Sequence, residues 1–223
     1  MAGIGLYGVY YAKCVKENGV VSGYEGSPKL IGKAVGANFE PKVPEENPLY
    51  ANNAVAENDI SSGAGGSLTA TVDRITLETA ADLFGTTVQS VQVSVNGDSV
   101  EGKEITYKGN ETSTPVGAAY IELHQEDGKR IHEVVFYREV TFARPKKDPE
   151  TMTDTIAWKT PELSATVSGM QGDGSQPWYR LSRWPTQEAA IAYIYQLFGA
   201  EASAAQINDD MEQLNAGEDE VGV

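Results

Sequence analysis

The sequence predicts a mainly β protein, and two observations carry that prediction. Residues 67–73 alternate strictly, with Leu68, Ala70 and Val72 on one side and polar residues on the other, which is the two-residue period of a half-buried strand. Three Asn-Gly or Asp-Gly dipeptides, beginning at Asn18, Asn96 and Asp127, lie beside runs rich in β-branched and aromatic residues. Such dipeptides favour the tight turns of β-hairpins, so the chain is expected to be built largely from hairpins.

The other strands follow from the same composition and turn signals. In chain order, strands are predicted within Leu6–Lys16, Lys29–Ala37, Ser67–Asp73, Val88–Val95, Ser99–Lys108, Ala119–Gln125, Lys129–Phe142, Ala157–Ser168 and Trp178–Trp184.

Helical signals are confined to the middle and the end of the chain. Thr76–Phe84 combines a capping threonine, helix formers and a terminating Gly85, and its predicted apolar face contains Leu77, Ala80, Ala81 and Phe84. A C-terminal helix is predicted from Thr186 to Phe198. Residues 203–214 are compatible with a frayed helix. The predicted organisation is a β domain over residues 1–184, a helix over 185–199 and a flexible acidic tail over 200–223.

A polar, glycine-rich stretch from Gly36 to Gly66 shows neither period and is predicted to be a loop. A loop of about 30 residues far exceeds the usual connection of about 4–6, and such loops are functional or disordered. Scattered apolar residues suit a segment that orders against a partner. The predicted contact residues are Phe39, Val43, Leu49, Tyr50, Val55 and Ile60.

The pair of strands around Asp127-Gly128 has a predicted register. With those two residues as the turn, Ile121 faces Val134 and Leu123 faces His132, and Phe136, Val140 and Phe142 continue the same apolar side. The opposite side is predicted to be polar and to hold Tyr120, Glu122, His124, Glu133, Val135, Tyr137 and Glu139. Glu122 then lies opposite Glu133, and like charges in that position are destabilising. This face is therefore expected to be hydrated or neutralised by a neighbouring subunit.

Composition disfavours several function classes. The net charge of −15, with −7 in residues 201–223, argues against a protein that holds duplex nucleic acid by its phosphates. The single Cys14 allows no internal disulfide and is expected to be a small buried apolar residue. The two histidines, His124 on the surface and His132 at the core edge, are expected on opposite sides of the hairpin, where they cannot share a metal. A three-residue turn would instead place both on one side. Gly63–Gly66 precedes a strand rather than a helix, so it is interpreted as turn geometry rather than a phosphate loop.

No catalytic motif, cofactor signature, signal peptide or membrane span is recognised in the sequence. The protein is expected to be made and folded in a cytoplasm and to be no enzyme, with no cofactor and no membrane partner.

Three segments in order resemble one family. They are Leu6–Lys13, Leu49–Glu57, and Leu68–Asp73 followed by Leu77–Gly85, and they are similar to segments of the major tail (tail tube) proteins of long, flexible-tailed phages of Gram-positive hosts. The later hairpin and Thr160–Gly169 also resemble this family, so the resemblance covers about residues 3–169. The chain departs from the family pattern with Asn52-Asn53 in place of an acidic pair and with Phe84 in place of leucine.

The resemblance implies a structural virion protein with a β-sandwich or barrel-like fold and one packed helix. Six copies would close into a ring, and rings would stack into a tail tube around the tape-measure protein and, during ejection, the DNA. Tail terminator and tail-tip proteins would be its other partners. The long loop would reach the next ring. An acidic lumen would let DNA slide past, with Glu122, Glu133 and Glu139 as its candidate lining.

Two other readings stay open. One is a different assembly role on a similar fold, such as a tail terminator, a head–tail connector or a secretion-type tube. The other is a β-sandwich binding or adhesion module, which would need aromatics exposed on one face. Trp178, Tyr179 and Trp184 are the candidates for that face.

Overall fold

The computed structural model describes residues 2–51, 54–60, 63–147, 149, 159–169 and 174–215. The prediction of a mainly β protein with a few helices is confirmed. The elements are β1 (Ala2–Glu17), β2 (Val20–Tyr24), β3 (Lys29–Gly32), β4 (Ala34–Pro41), β5 (Glu46–Ala51), β6 (Ala54–Ile60), β7 (Gly66–Val72), α1 (Leu77–Phe84), β8 (Val88–Val95), β9 (Asp98–Ile105), β10 (Val116–Glu126), β11 (Lys129–Phe142), β12 (Glu162–Val167), β13 (Tyr179–Trp184), α2 (Gln187–Leu197) and α3 (Ala204–Asn215).

The main sheet is antiparallel and has the order β2-β1-β10-β11-β12-β7-β4. β3 also pairs with β1, and β13 pairs with β11 beside β12. The long strands β1, β10 and β11 form its centre. Because β7 and β12 carry apolar residues on alternate positions, the sheet can fold back over itself and bury that side.

The first of two apolar clusters, the sheet core, lies between the central strands β1, β10 and β11 and the strands β7 and β12. It holds the apolar side of β7 that the sequence predicted, together with Phe84 from α1 and the fully buried Tyr11 and Tyr137. The other members include Val9, Leu68, Ala70, Val72, Leu83, Val116, Ala118, Tyr120, Val135, Val140, Phe142, Leu163, Ala165 and Val167.

The second cluster, the helix core, lies on the other side of β1, β10 and β11, where α2 and α3 cover the strands. Ile191 and Ile194 of α2 are fully buried against Ile121 and Phe136 of the sheet. The central strands are thus buried on both sides. This explains why their sequences are apolar in nearly every position rather than in every second one.

The register of the β10–β11 hairpin confirms the predicted pairs Ile121 with Val134 and Glu122 with Glu133. Asp127 and Gly128 have positive φ values of 49° and 75°, as a type I′ turn requires. The prediction that Val140 and Phe142 continue the side of Ile121 is wrong. A register shift between Val116/Val140 and the next pair reverses the sides, and both residues join the sheet core.

The opposite side of this hairpin was predicted to be polar, and that is also wrong for most of its length. Tyr120, Val135 and Tyr137 are buried in the sheet core, and only the end nearest the turn is polar. The prediction assumed that one side of the hairpin meets water. In the structure each side has its own apolar cover.

The stretch from Gly36 to Gly66 is not a loop over most of its length, as was predicted. Residues up to Pro41 belong to β4, which pairs with β7, and the chain then forms a separate antiparallel hairpin of β5 and β6. Lys42 N donates to Gly65 O at 2.9 Å and so joins the base of this hairpin to the sheet. Gly65 and Gly66 supply positive φ and close approach to the backbone of Glu40, which agrees with the turn interpretation of these glycines.

The helix ends follow the predicted capping chemistry. The Thr76 side chain accepts a hydrogen bond from Thr79 N, and Gly85 has a φ of 66° at the C-terminus of α1. The Thr186 side chain accepts a bond from Ala189 N at the start of α2. One detail differs, because Leu77 of the predicted apolar face is 41% exposed.

Most of the C-terminal segment belongs to the fold. α3 packs on α2 and on β1, and its Leu214 is buried against Gly8. The Tyr195 hydroxyl donates to an Asp210 carboxylate oxygen at 3.2 Å. The predicted flexible tail over 200–223 is therefore wrong for residues 204–215, and residues 216–223 lie outside the described part.

Candidate functional site

Two hairpins extend from the main sheet, and they are the first candidate functional feature. The β5–β6 hairpin, here called the first arm, pairs with no other strand among the described residues. Leu49, Tyr50 and Val55 are 58%, 68% and 54% exposed, and Tyr50 lies directly opposite Val55. Val43, at its base, is also exposed. An isolated two-stranded hairpin is marginally stable in water, and no strand of the described part pairs with this arm to stabilise it.

The β8–β9 hairpin, the second arm, is built in the same way. It turns at Asn96-Gly97 as predicted, and Thr86 Oγ1 donates to Thr106 O at 3.0 Å across its base. An exposed ion pair of 2.6 Å between Lys103 of β9 and Glu78 of α1 joins it to the body. Its cross-strand pairs place apolar side chains together on one side. Three of these side chains are each about half exposed. These three are Val93, Val95 and Val100.

The predicted contact residues divide between the first arm and the body. Val43, Leu49, Tyr50 and Val55 are exposed as the prediction requires, although whether they contact another subunit stays a prediction. Phe39 is different, because it lies in β4 and packs within 4.9 Å of the Tyr137 ring centroid. Ile60 is the last residue of β6, and its side chain lies outside the described part.

The three predicted lumen residues do not form one exposed acidic surface in the chain. Glu139 is 7% exposed, lies at the register shift of β11 and pairs with Lys16 Nζ at 2.7 Å. Glu133 Oε2 accepts from Arg183 Nε at 2.6 Å. Neutralisation thus comes from β1 and β13 of the same chain. The expectation of a hydrated face, or of neutralisation by a neighbour, is wrong for these two residues.

Glu122, His124 and Glu133 form a compact cluster near the turn of the β10–β11 hairpin. His124 Nε2 lies 3.2 Å from Glu122 Oε2 and 3.7 Å from Glu133 Oε1. The side chains of His124 and Glu133 are each 13% exposed, so the predicted surface histidine is largely buried. Both ring nitrogens of His124 are buried without a hydrogen-bond partner, because the approach to Glu122 has the wrong angle for one. Among the described residues, this is the group that brings three metal-binding side chains together.

The carboxylates of this cluster contribute to raised pKa values of two neighbouring tyrosines. Burial raises the pKa of Tyr120 to about 12, and the adjacent Glu122 carboxylate adds to the rise. Burial also raises the pKa of Tyr179, with Glu133 and Glu122 as further causes. In both cases burial of the phenol is the main cause, and the nearby carboxylates add to it.

The two histidines lie on opposite sides of the hairpin, as predicted. His132 is buried on the side of the hairpin opposite His124, where its ring stacks on the Tyr7 ring with centroids 6.1 Å apart. Burial lowers the pKa of His132. It therefore contributes nothing to the cluster around His124.

Cys14, which is only partly buried rather than buried as predicted, has a packing role, and so do Trp178 and the aromatic residues of β13. Burial raises the pKa of the Cys14 thiol to about 12, which disfavours a reactive thiolate. Trp178 and Tyr179 pack beside Phe39, and Trp184 packs on Tyr193 with ring centroids 4.8 Å apart. None of the three is left as an open aromatic platform of the kind that the binding-module reading needs.

Sequence reasoning missed Arg183 and Lys16 as partners of the carboxylates. Arg183 lies 50 positions from Glu133 and reaches it only because β13 pairs with β11, with Glu133 opposite Arg183. The local pattern carries no signal for that pairing. The two arginines between Tyr179 and Trp184 of β13, Arg180 and Arg183, were the available hint.

None of the described helices is long and apolar enough to cross a membrane. Comparison of the chain with models of known protein families gives no match, and comparison with curated proteins gives none either.

Proposed function

We propose that this chain is a self-assembling structural subunit, and specifically the tail tube protein of a long flexible-tailed phage, rather than an enzyme. The observation that carries the proposal is the pair of arms. Each is a two-stranded hairpin outside the main sheet, and each exposes apolar side chains. Burial of these side chains against another copy would supply the stabilisation that the free hairpins lack.

The size of this contribution is considerable. Full burial of one large apolar side chain contributes roughly 1.5–3 kcal/mol. Leu49, Tyr50 and Val55 retain more than half of their exposure in the chain, so each would contribute about 1–2 kcal/mol on assembly. In a closed ring of six, and in a stack of rings, the same contact repeats in every subunit.

The resemblance of three ordered segments to tail tube proteins supplies the specific role. It implies hexameric rings that stack in the virion tail, enclose the tape-measure protein and conduct DNA. The net charge of −15 suits a channel that DNA passes without sticking. The tail terminator is the nearest alternative, because it would use similar surfaces but form single rings.

Electron microscopy and sedimentation of the purified chain would test the proposal. We expect rings and hollow tubes that become more abundant with concentration or with tape-measure and tail-tip proteins as nuclei. The variant Leu49→Ser/Tyr50→Ser should remain folded but fail to assemble. A matched control, Asn47→Ser/Asn58→Ser, changes exposed polar residues of the same arm and should assemble normally.

Several results would decide against the tube. A native chain that stays monomeric at high concentration with its nucleating partners present would refute assembly altogether. Single rings without stacking would favour the terminator. Normal tubes from the Leu49→Ser/Tyr50→Ser variant, or from a chain lacking residues 45–58, would show that the first arm is not the stacking element.

A further inference from the structure

We propose that Glu122, His124 and Glu133 bind one divalent transition-metal cation of the Zn²⁺ class, which fastens the end of the β10–β11 hairpin. The site is independent of the assembly role, because all three residues belong to one hairpin of one chain and none belongs to either arm.

The spacing fits a metal centre. Zinc binds imidazole nitrogen and carboxylate oxygen at about 2.0–2.2 Å, so two ligand atoms of a tetrahedral site lie about 3.3 Å apart. His124 Nε2 lies 3.2 Å from Glu122 Oε2 and 3.7 Å from Glu133 Oε1. These atoms are close neighbours, yet the histidine forms no hydrogen bond with either carboxylate. Ligand atoms around a shared ion have this relation, because they point at the ion and not at one another.

Charge favours a cation at the same place. Glu122 and Glu133 lie directly opposite each other across the two strands, and Arg183 on Glu133 Oε2 balances only one of the two charges. Arg183 leaves Glu133 Oε1 facing His124 and holds the carboxylate in place. Partners of this kind orient metal ligands and fix their geometry.

Protonation of His124 is the competing way to supply positive charge. An imidazolium has two N–H donors, and neither ring nitrogen of His124 has an acceptor in suitable geometry. A neutral imidazole bound through Nε2 would leave only an uncharged N–H at Nδ1 without a partner. Burial of an unpaired uncharged group is less unfavourable than burial of an unpaired charge. Nitrogen together with carboxylate oxygen selects Zn²⁺, Co²⁺ or a similar ion over Ca²⁺ or Mg²⁺. Water would complete its coordination, since Glu122 is the most exposed of the three side chains.

Titration of the chelator-treated full chain with Zn²⁺ and Co²⁺ would test the site by calorimetry. We expect one cation per chain, with affinity that falls at acidic pH because the ligands must lose their protons. Glu122→Gln and His124→Gln should each weaken binding at least tenfold. His132→Gln, which changes the other histidine on the opposite side of the hairpin, should leave it unchanged.

Nuclear magnetic resonance of the two histidines gives an independent readout, because the chain contains only these two. Zn²⁺ should shift the ring signals of His124 and leave those of His132 in place, and Co²⁺ should broaden the former selectively. The proposal is overturned if the native chain binds Zn²⁺ no more tightly than the His124→Gln variant. It is equally overturned if the His124 signals respond to pH but not to Zn²⁺, which would assign the site to a proton.

Discussion

The contact of α3 with β1 allows a double-mutant cycle between Gly8 and Leu214. A Cβ atom added at Gly8 would overlap Leu214 Cδ2 and would lie 2.5 Å from Leu30 Cδ1. Leu214 is 9% exposed in the last turn of α3. The two positions therefore compete for one volume, and the effects of their substitutions on the free energy of unfolding should not be additive.

The expected magnitudes follow from this geometry. Leu214→Ala should lower the free energy of unfolding by about 2 kcal/mol, the low end of the range for buried leucines, because a helix end relaxes easily. Gly8→Ala should lower it by about 1 kcal/mol, as overpacking of about 1–3 kcal/mol is partly offset by the reduced chain entropy of alanine. The double variant should lose only about 2 kcal/mol, because the new methyl group occupies space that Leu214 has left.

Urea denaturation followed by tryptophan fluorescence and circular dichroism, at a concentration that keeps the chain monomeric, would measure the cycle. Gly23→Ala is the matched control, because it is also a strand glycine and an added Cβ there meets nothing within 4 Å. It should be neutral or slightly stabilising. Additivity of the Gly8 and Leu214 changes within about 0.5 kcal/mol, or a Leu214→Ala loss as small as the control, would refute the packing of α3 on β1.

Two further predictions concern buried charge. Lys16→Met should lower stability by about 1–3 kcal/mol, because it removes the ion pair between Lys16 and the buried Glu139. Lys103→Met, which breaks an exposed pair, should have no measurable effect, and equal melting temperatures for both variants would contradict this. For Asp82, burial raises the pKa, but hydrogen bonds from Lys13, Lys29 and Tyr11 outweigh it and lower the pKa overall. The stabilisation that ionised Asp82 provides is complete above its pKa in the unfolded chain and is lost as the pH falls through its pKa in the folded chain. The difference in stability between the native chain and Asp82→Asn should therefore disappear in acid. A difference that persists in acid would refute the assignment.

Sequence reasoning succeeded where the signal was local. The turn dipeptide Asp127-Gly128 and the apolar alternation beside it together fixed the pairs Ile121 with Val134 and Glu122 with Glu133. The predicted sides of the strand are wrong beyond Arg138, because a one-residue irregularity in pairing reverses the two sides of a strand. The amino-acid composition gives no signal for such an irregularity. Val140 and Phe142 were therefore assigned to the wrong cluster.

The first arm and the charge partners were missed for different reasons. β5 is exposed over most of its length, as are the side chains of β6 that the structure describes. Burial therefore imposes no alternation of apolar and polar residues there, and the segment resembled a loop. The partners Lys16 and Arg183 reach their carboxylates through strand pairs distant in sequence. For the cluster of Glu122 and His124, the sequence correctly placed both residues on one side of the hairpin. It could not predict the burial of His124, which depends on the surrounding strands.

The pairing of β1 with β10 has a consequence for how the chain folds as it is made. β2 and β3 follow β1 closely in sequence and pair with part of it. The edge of β1 that faces β10 pairs Lys13 with Val116 and Ala2 with Gln125, so that edge finds its partner only after about 100 more residues. At about 5–20 residues per second this wait is roughly 5–20 s. Throughout it, the free edge of this aromatic strand must avoid pairing with the same strand of another nascent chain. Production of the protein should therefore be limited by aggregation during synthesis more than by the stability of the finished fold, and slower translation through residues 1–116 should lower the yield.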